Sequence, residues 1–161
     1  MGSDADLHEM ARRVIDGNLY MTLATLDPGG ATRLSPVYFS PARYRDLYWV
    51  SSPGAHHSRN LRERPEVQIV IFDSSVQVGH AEAAYLSARA REVPDEELDG
   101  VLGEAFSGRG GARAFTRDEL TGDAALRLYV AAIVSCEVLV RGSDPVRGRG
   151  TDRRVPADPT A

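Results

Sequence analysis

The feature that most narrows the fold is a succession of short extended runs separated by little more than turns. Between Thr32 and Asp73 the chain reads TRLSPVYF, LYWVSS, PGAHHSRNLRERP and VQIVIFD, in that order. Three of these pieces are rich in β-branched and aromatic residues, and the third in order is a short helix closed by Pro65. Upstream, Leu19–Leu26 reads as a strand that turns back at Asp27-Pro28-Gly29-Gly30, where the glycines supply positive φ. Downstream, Glu82–Glu92 alternates again. In the last run Leu128, Val130, Ala132, Val134, Cys136, Val138 and Val140 are expected on one face of a strand crossing the core. About six strands joined by short turns predict a mainly β fold, an antiparallel barrel that is closed or split.

Helices are few. Leu7, Met10, Ala11, Val14 and Ile15 share one helical face over residues 4–16, with Ser3 and Asp6 forming a capping box, which predicts a helix over a barrel end. Pro94, followed by acids, starts another with Leu98, Val101, Leu102, Ala105 and Phe106 on one side. Within TRLSPVYF, Arg33, Ser35, Val37 and Phe39 point one way and Thr32, Leu34, Pro36 and Tyr38 the other. Proline cannot donate to a ladder, so Pro36 predicts a sheet edge or bulge. Residues 1–140 form the expected domain. The Gly/Pro/Arg/Asp-rich stretch 141–161 has too little apolar surface to offset the entropy of ordering it, so it is expected as a flexible tail.

Composition removes several chemistries. With one cysteine, Cys136, neither an intrachain disulfide nor a cysteine-cluster metal site is expected. The chain has no lysine, which excludes Schiff-base catalysis, lysine-anchored pyridoxal phosphate and the Walker phosphate loop. His56 and His57 lack a companion cluster, so no metal site is expected. A net charge of -4 speaks against nucleic-acid binding. No apolar run approaches the ~20 residues of a membrane helix and no signal pattern opens the chain, so a cytoplasmic location without membrane attachment is expected.

The helix start is the strongest functional lead. Unpaired N–H groups and the positive end of the helix dipole favour an anion there, and Ser58, Arg59 and Asn60 in its first turn are suited to a phosphate. Arg59 offers a planar fork of donors, and Ser58 can cap the helix or bond the same oxygens.

Taken together, TRLSPVYF, LYWVSS, HHSRNLRERP, VQIVIFD and the late LTGDAALRLYVA resemble the pyridoxamine 5'-phosphate oxidase-like, or flavin-binding split-barrel, family from about Leu19 to Val140. The resemblance implies a six-stranded split barrel that forms a homodimer and holds flavin mononucleotide (FMN) between its subunits. It implies that Arg33, Ser35, Pro36 and Val37 touch the ribityl chain and ring edge, with Val50, Ser51 and Ser52 adding contacts from the next strand. It further implies that His57, Ser58, Arg59 and Asn60 surround the phosphate. Glu82 stands where relatives commonly carry a glutamine that reaches the ring from the other subunit. Vitamin B6 oxidases carry Arg-Leu-His-Asp-Arg near the last strand, whereas this chain has Arg127-Leu128-Tyr129-Val130-Ala131, which leaves Arg127 and Tyr129 as substrate-pocket candidates for some other small molecule. Trp49 and Tyr38 suit ring stacking or strand packing equally.

The implied activity is an FMN-dependent oxidoreductase in which hydride passes at flavin N5 and no protein nucleophile is needed. Two alternatives keep the fold: a reductase using the deazaflavin coenzyme (F420), served by Arg62, Arg64, Arg109 and Arg113, and a non-catalytic module for flavin, haem or tetrapyrrole.

Overall fold

Strands form where alternate residues bury one face, and the inward set along each run defines a curled sheet. The computed structural model describes residues 4–109 and 113–161. A first helix, Asp4–Gly17 (α1), leads into Tyr20–Leu26 (β1), which turns Met21, Leu23 and Thr25 inward. The Asp27–Gly30 turn, with Gly30 at φ 87°, returns the chain as Thr32–Tyr38 (β2). One residue later it resumes as Ser40–Ala42 (β3), and then as Asp46–Ser51 (β4). His56–Glu63 (α2) precedes Glu66–Phe72 (β5) and Ala83–Glu92 (β6). Asp95–Ala105 (α3), a 3-10 turn at Arg117–Glu119, Arg127–Val140 (β7) and Arg153–Pro156 (β8) complete the order.

All strand pairs are antiparallel, in the order β2-β1-β5-β6-β7-β4-β3. Because β2 and β3 are separated only by Phe39, the two ends of the sheet are successive pieces of one run and the sheet curls into a half-barrel. The mainly β, antiparallel split-barrel expectation is met. The described residues contain eight strand segments instead of six, because the second run breaks at Phe39 and β8 is added. Pro36 lies on β2, at an end of the strand order, as a residue without an N–H requires.

Leu7, Ala11, Val14 and Ile15 of α1 pack into the main core with Met21, Leu23, Phe39, Leu47, Trp49, Leu86 and Val138. Each large side chain buried there contributes about 1.5–3 kcal/mol. A smaller core under α3 joins Tyr48, Val93, Leu98, Leu120, Leu128 and Val130. No helix among the described residues is long and apolar enough to cross a membrane.

Two expectations are corrected. The residues of β7 do not share one face throughout: Ser87 opposes Ser135 and Ala88 opposes Ile133, so Val134 is bulged out and 69% exposed. A bulge shifts the alternation by one residue. Leu128 and Val130 therefore enter the small core, while Cys136, Val138 and Val140, after the bulge, enter the main one. The stretch 141–161 is not a bare tail, for β8 pairs with 137–140 along an edge of β7 that would otherwise lack a partner. Arg12 on α1 donates to the carbonyls of Pro159 and Ala161 at 3.1 and 2.8 Å, and Arg147 pairs with Asp6. Backbone pairing, these arginine contacts and the packing of Val155 and Ala157 against the main core hold it in place. Ser3 of the expected capping box and residues 110–112 lie outside the described residues.

Candidate cofactor site

Ala55 holds the cap position of α2 without a side-chain hydrogen bond, so no side chain caps the helix start. Along this helix His56, Arg59, Asn60 and Glu63 form one wall of a cleft of about 800 Å³. Leu26, Asp27, Pro28 and Arg33 form the facing wall, and Arg62 and Arg64 complete the lining. Four guanidiniums against two carboxylates leave the cleft cationic.

The polar groups of the cleft are organised around Asp27. Arg33 grips its carboxylate with two donors, Nε to Oδ1 at 3.0 Å and a terminal nitrogen to Oδ2 at 2.7 Å. Asn60 Nδ2 donates to the same carboxylate at 2.9 Å and to Thr25 Oγ1 at 3.1 Å. The Arg33 fork, and after it the Asn60 amide, hold the Asp27 carboxyl far below the usual carboxylate range. Asp27, read in the sequence only as a turn residue, is thus the part of the site that sequence reasoning missed. The available signal was an acid six residues before Arg33 across a hairpin turn.

The expected phosphate residues separate around the helix. Arg59 is exposed in the cleft, where it donates to His56 Nδ1 at 3.1 Å and to the Gly54 carbonyl. Asn60 is 5% exposed and its amide is committed to Thr25 and Asp27. Ser58 is fully buried and lines a different cavity, of about 370 Å³, with Arg62, Glu92 and Tyr129. His57 is half-buried and shares a 2.8 Å hydrogen bond with Ser51 Oγ; burial, then the neighbouring His56, push its pKa down. Ser52 Oγ accepts from the Gly54 N–H at 3.2 Å, tightening the turn into α2.

The strand residues divide as well. Arg33 and Ser35 are half-exposed and Val37 is buried on one face of β2, while Pro36 faces outward opposite Thr22. Val50 lines a separate aromatic pocket on the α3 side of β4. Tyr129 is 1% exposed, stacks on Trp49 with centroids 5.5 Å apart and donates its hydroxyl to Glu92 at 3.1 Å; burial is the main reason its pKa rises. Arg127 directs its fork at the carbonyls of Gly122, Ala124 and Leu126, holding the loop before β7. Glu82 is elsewhere again, in a two-point ion pair with Arg13 of α1 at 2.8 and 3.1 Å, beside Asp73 and His80. Arg109, a candidate for the cleft mouth, instead lies over Phe39 and donates to its carbonyl at 2.8 Å and to the end of α1.

A curled antiparallel sheet with a cationic cleft beside a short helix places the molecule in the split-barrel class. The family model for pyridoxamine 5'-phosphate oxidase matches residues 7–137, and the chain belongs to that family. Curated proteins yield no match. Among solved structures, a haem-binding protein from Mycobacterium smegmatis has a similar fold, with TM-score 0.69 and 19% identity over 99% of this chain and 60% of that one. ChuZ of Campylobacter jejuni gives TM-score 0.64 and 15% identity over 96% and 61%. This chain therefore spans about three fifths of the length of those two neighbours. A FAD-binding protein from Mesorhizobium loti gives TM-score 0.54 and 19% identity over 80% and 90%.

Proposed function

We propose that the cleft along α2 anchors the phosphate of FMN, and that two copies of the chain, with the cofactor between them, act as an oxidoreductase on a small organic molecule. The observation that carries this reading is the meeting of Arg33, His56 and Arg59 in one cleft beside an uncapped helix start. The donor set suits a phosphate: the exposed Arg59 guanidinium and the His56 imidazole line one space, although Asp27 offsets part of Arg33's charge.

A bound flavin supplies hydride transfer at N5. The protein's task is placement. Arg59 and the first turn of α2 hold the anionic end, while the half-exposed face of β2 at Ser35 offers an edge along which the cofactor extends. His57, kept neutral by burial, contributes a hydrogen-bonding group and no second charge beside Ser51. Glu82 arrives with its own counter-ion in Arg13, which tempers a bare carboxylate near a ring held by the other copy.

The outer face of β1 and β2 supports the homodimer. Tyr20 and Tyr38 oppose each other edge-to-face at 5.9 Å, and Leu34, opposite Ala24, is 65% exposed. A deazaflavin coenzyme is less well served, since Arg109 is committed inward and Arg113 pairs with Glu119 away from the cleft. The haem-binding neighbour supports a second reading as a carrier, with His56 as the iron ligand and Arg59 for a propionate.

Purified protein is expected to be yellow and to release FMN on denaturation. Arg59→Ala should weaken FMN affinity by about 1.5–3 kcal/mol through loss of a charged hydrogen bond. Unchanged affinity overturns the assignment, and a Soret band on haem titration with no flavin binding selects the carrier.

A further inference from the structure

We propose that Trp49, Tyr129 and Glu92 form a one-electron relay that carries oxidising equivalents out of the main core to a tyrosine that is then repaired. Trp49 on β4 and Tyr129 on β7 stand directly opposite each other in the sheet register and are 2% and 1% exposed. Their rings stack with centroids 5.5 Å apart and planes at 19°, so an electron passes between the two π-systems without any group moving. Tyr48, the neighbour in sequence, turns to the smaller core on the opposite face of β4.

The direction of flow follows from where a proton can go. Trp49 Nε1 is buried and has no hydrogen-bond partner among the described residues. When a one-electron oxidant takes an electron from the indole, the radical cation therefore keeps its proton, and a positive charge is left in an apolar core where charge is costly. The Tyr129 hydroxyl, in contrast, donates to Glu92 Oε2 at 3.1 Å. Tyr129 gives an electron to the oxidised indole and its hydroxyl proton to the Glu92 carboxylate. Neutral Trp49 is restored, and a neutral phenoxyl radical stands beside a neutral carboxylic acid, so no charge remains on the buried rings.

Repair needs one electron and the same proton. Tyr129 and Glu92 both line the cavity of about 370 Å³ under α2, and the Glu92 side chain is 37% exposed. A small enediolate reductant entering that cavity gives an electron to the phenoxyl radical and is itself oxidised by one electron, while Glu92 returns the proton and the phenol is re-formed. None of the three relay residues lines the α2 cleft, and the relay does not rest on the flavin reading.

Trp49 is the chain's single tryptophan, so light at the red edge of protein absorption, where tyrosine is transparent, ionises it selectively. Flash photolysis of the full chain with an electron scavenger should show a tryptophanyl signal decaying as a tyrosyl signal grows, and ascorbate should shorten the life of the second. Tyr129→Phe keeps the stacked ring and removes the hydroxyl, so the tryptophanyl signal should persist with no tyrosyl successor. Tyr48→Phe should behave as the parent. Glu92→Gln should slow the transfer by about a hundred-fold, the low end for a positioned base. The proposal is overturned by a tryptophanyl signal that decays in the parent without a tyrosyl one, by undiminished transfer in Tyr129→Phe, by its loss in Tyr48→Phe, by an unchanged rate in Glu92→Gln, or by a tyrosyl lifetime indifferent to ascorbate.

Discussion

One side of α2 carries His56, Arg59 and Glu63 over a charged cleft open to solvent, whereas the other drives Ser58 and Leu61 into the protein, with Asn60 at the seam. Successive residues on a helix point about 100° apart, so Ser58, Arg59 and Asn60 cannot all face one ligand. Arg59 is left facing the cleft, Asn60 ties the helix to β1, and Ser58 lines the cavity beneath. A tripeptide that reads as one binding unit in sequence is split by geometry: one residue faces the cleft, one ties the helix to β1 and one is buried.

This division is open to measurement. Leu61 is 4% exposed and packed in the main core, so Leu61→Ala should destabilise by about 2–5 kcal/mol. In a protein of this size each kcal/mol lowers Tm by roughly 2–4 °C, an effect plain in a thermal melt. Asn60→Ala removes the donor to Thr25, which is 2% exposed, and to Asp27, and should cost about 1–3 kcal/mol. Arg59→Ala should stay within about 0.5 kcal/mol of the parent in the same melts, as surface changes usually do. Equal losses at 59 and 60 would erase the distinction between the two faces.

Much of the barrel was legible because strand pattern and burial agree there. Met21 and Leu23 on β1, Val67, Ile69 and Ile71 on β5, and Leu86 on β6 all face inward as period-two patterning requires. Val134 was not, because an alternating apolar run looks the same whether or not one residue bulges; only the partner strand, where Ser87 and Ala88 meet Ser135 and Ile133, reveals the slip. The C-terminal β8 was hidden for a related reason: it is held by backbone pairing and by Arg12 and Arg147, which composition does not register. In the site, Arg59 was legible as a cation in the first turn of a short helix, while Arg33 was reached only through the family resemblance. The carboxylate of Asp27 that engages Arg33 was not legible, since its meaning depends on the register of the hairpin that brings it there.

That carboxylate supplies the smallest and sharpest test. The Arg33 grip, then the Asn60 amide, depress the folded pKa of Asp27, so its contribution to stability is present above the ordinary carboxylate value of about 4 and is lost as pH falls through the depressed one. Melts of the parent should therefore lose more stability on acidification below about pH 4 than melts of Asp27→Asn, where no such proton is taken up. The difference should be modest, because solvent reaches both partners of the pair. The same variant leaves Arg33 without its counter-charge, so at neutral pH it should bind inorganic phosphate or FMN more tightly than the parent, by a small factor that shrinks with added salt. Parallel acid dependence in the two proteins would mean that Asp27 is not the organiser of the cleft, and the open face of α2 would then owe its cationic character to Arg59 and its neighbours on the helix alone.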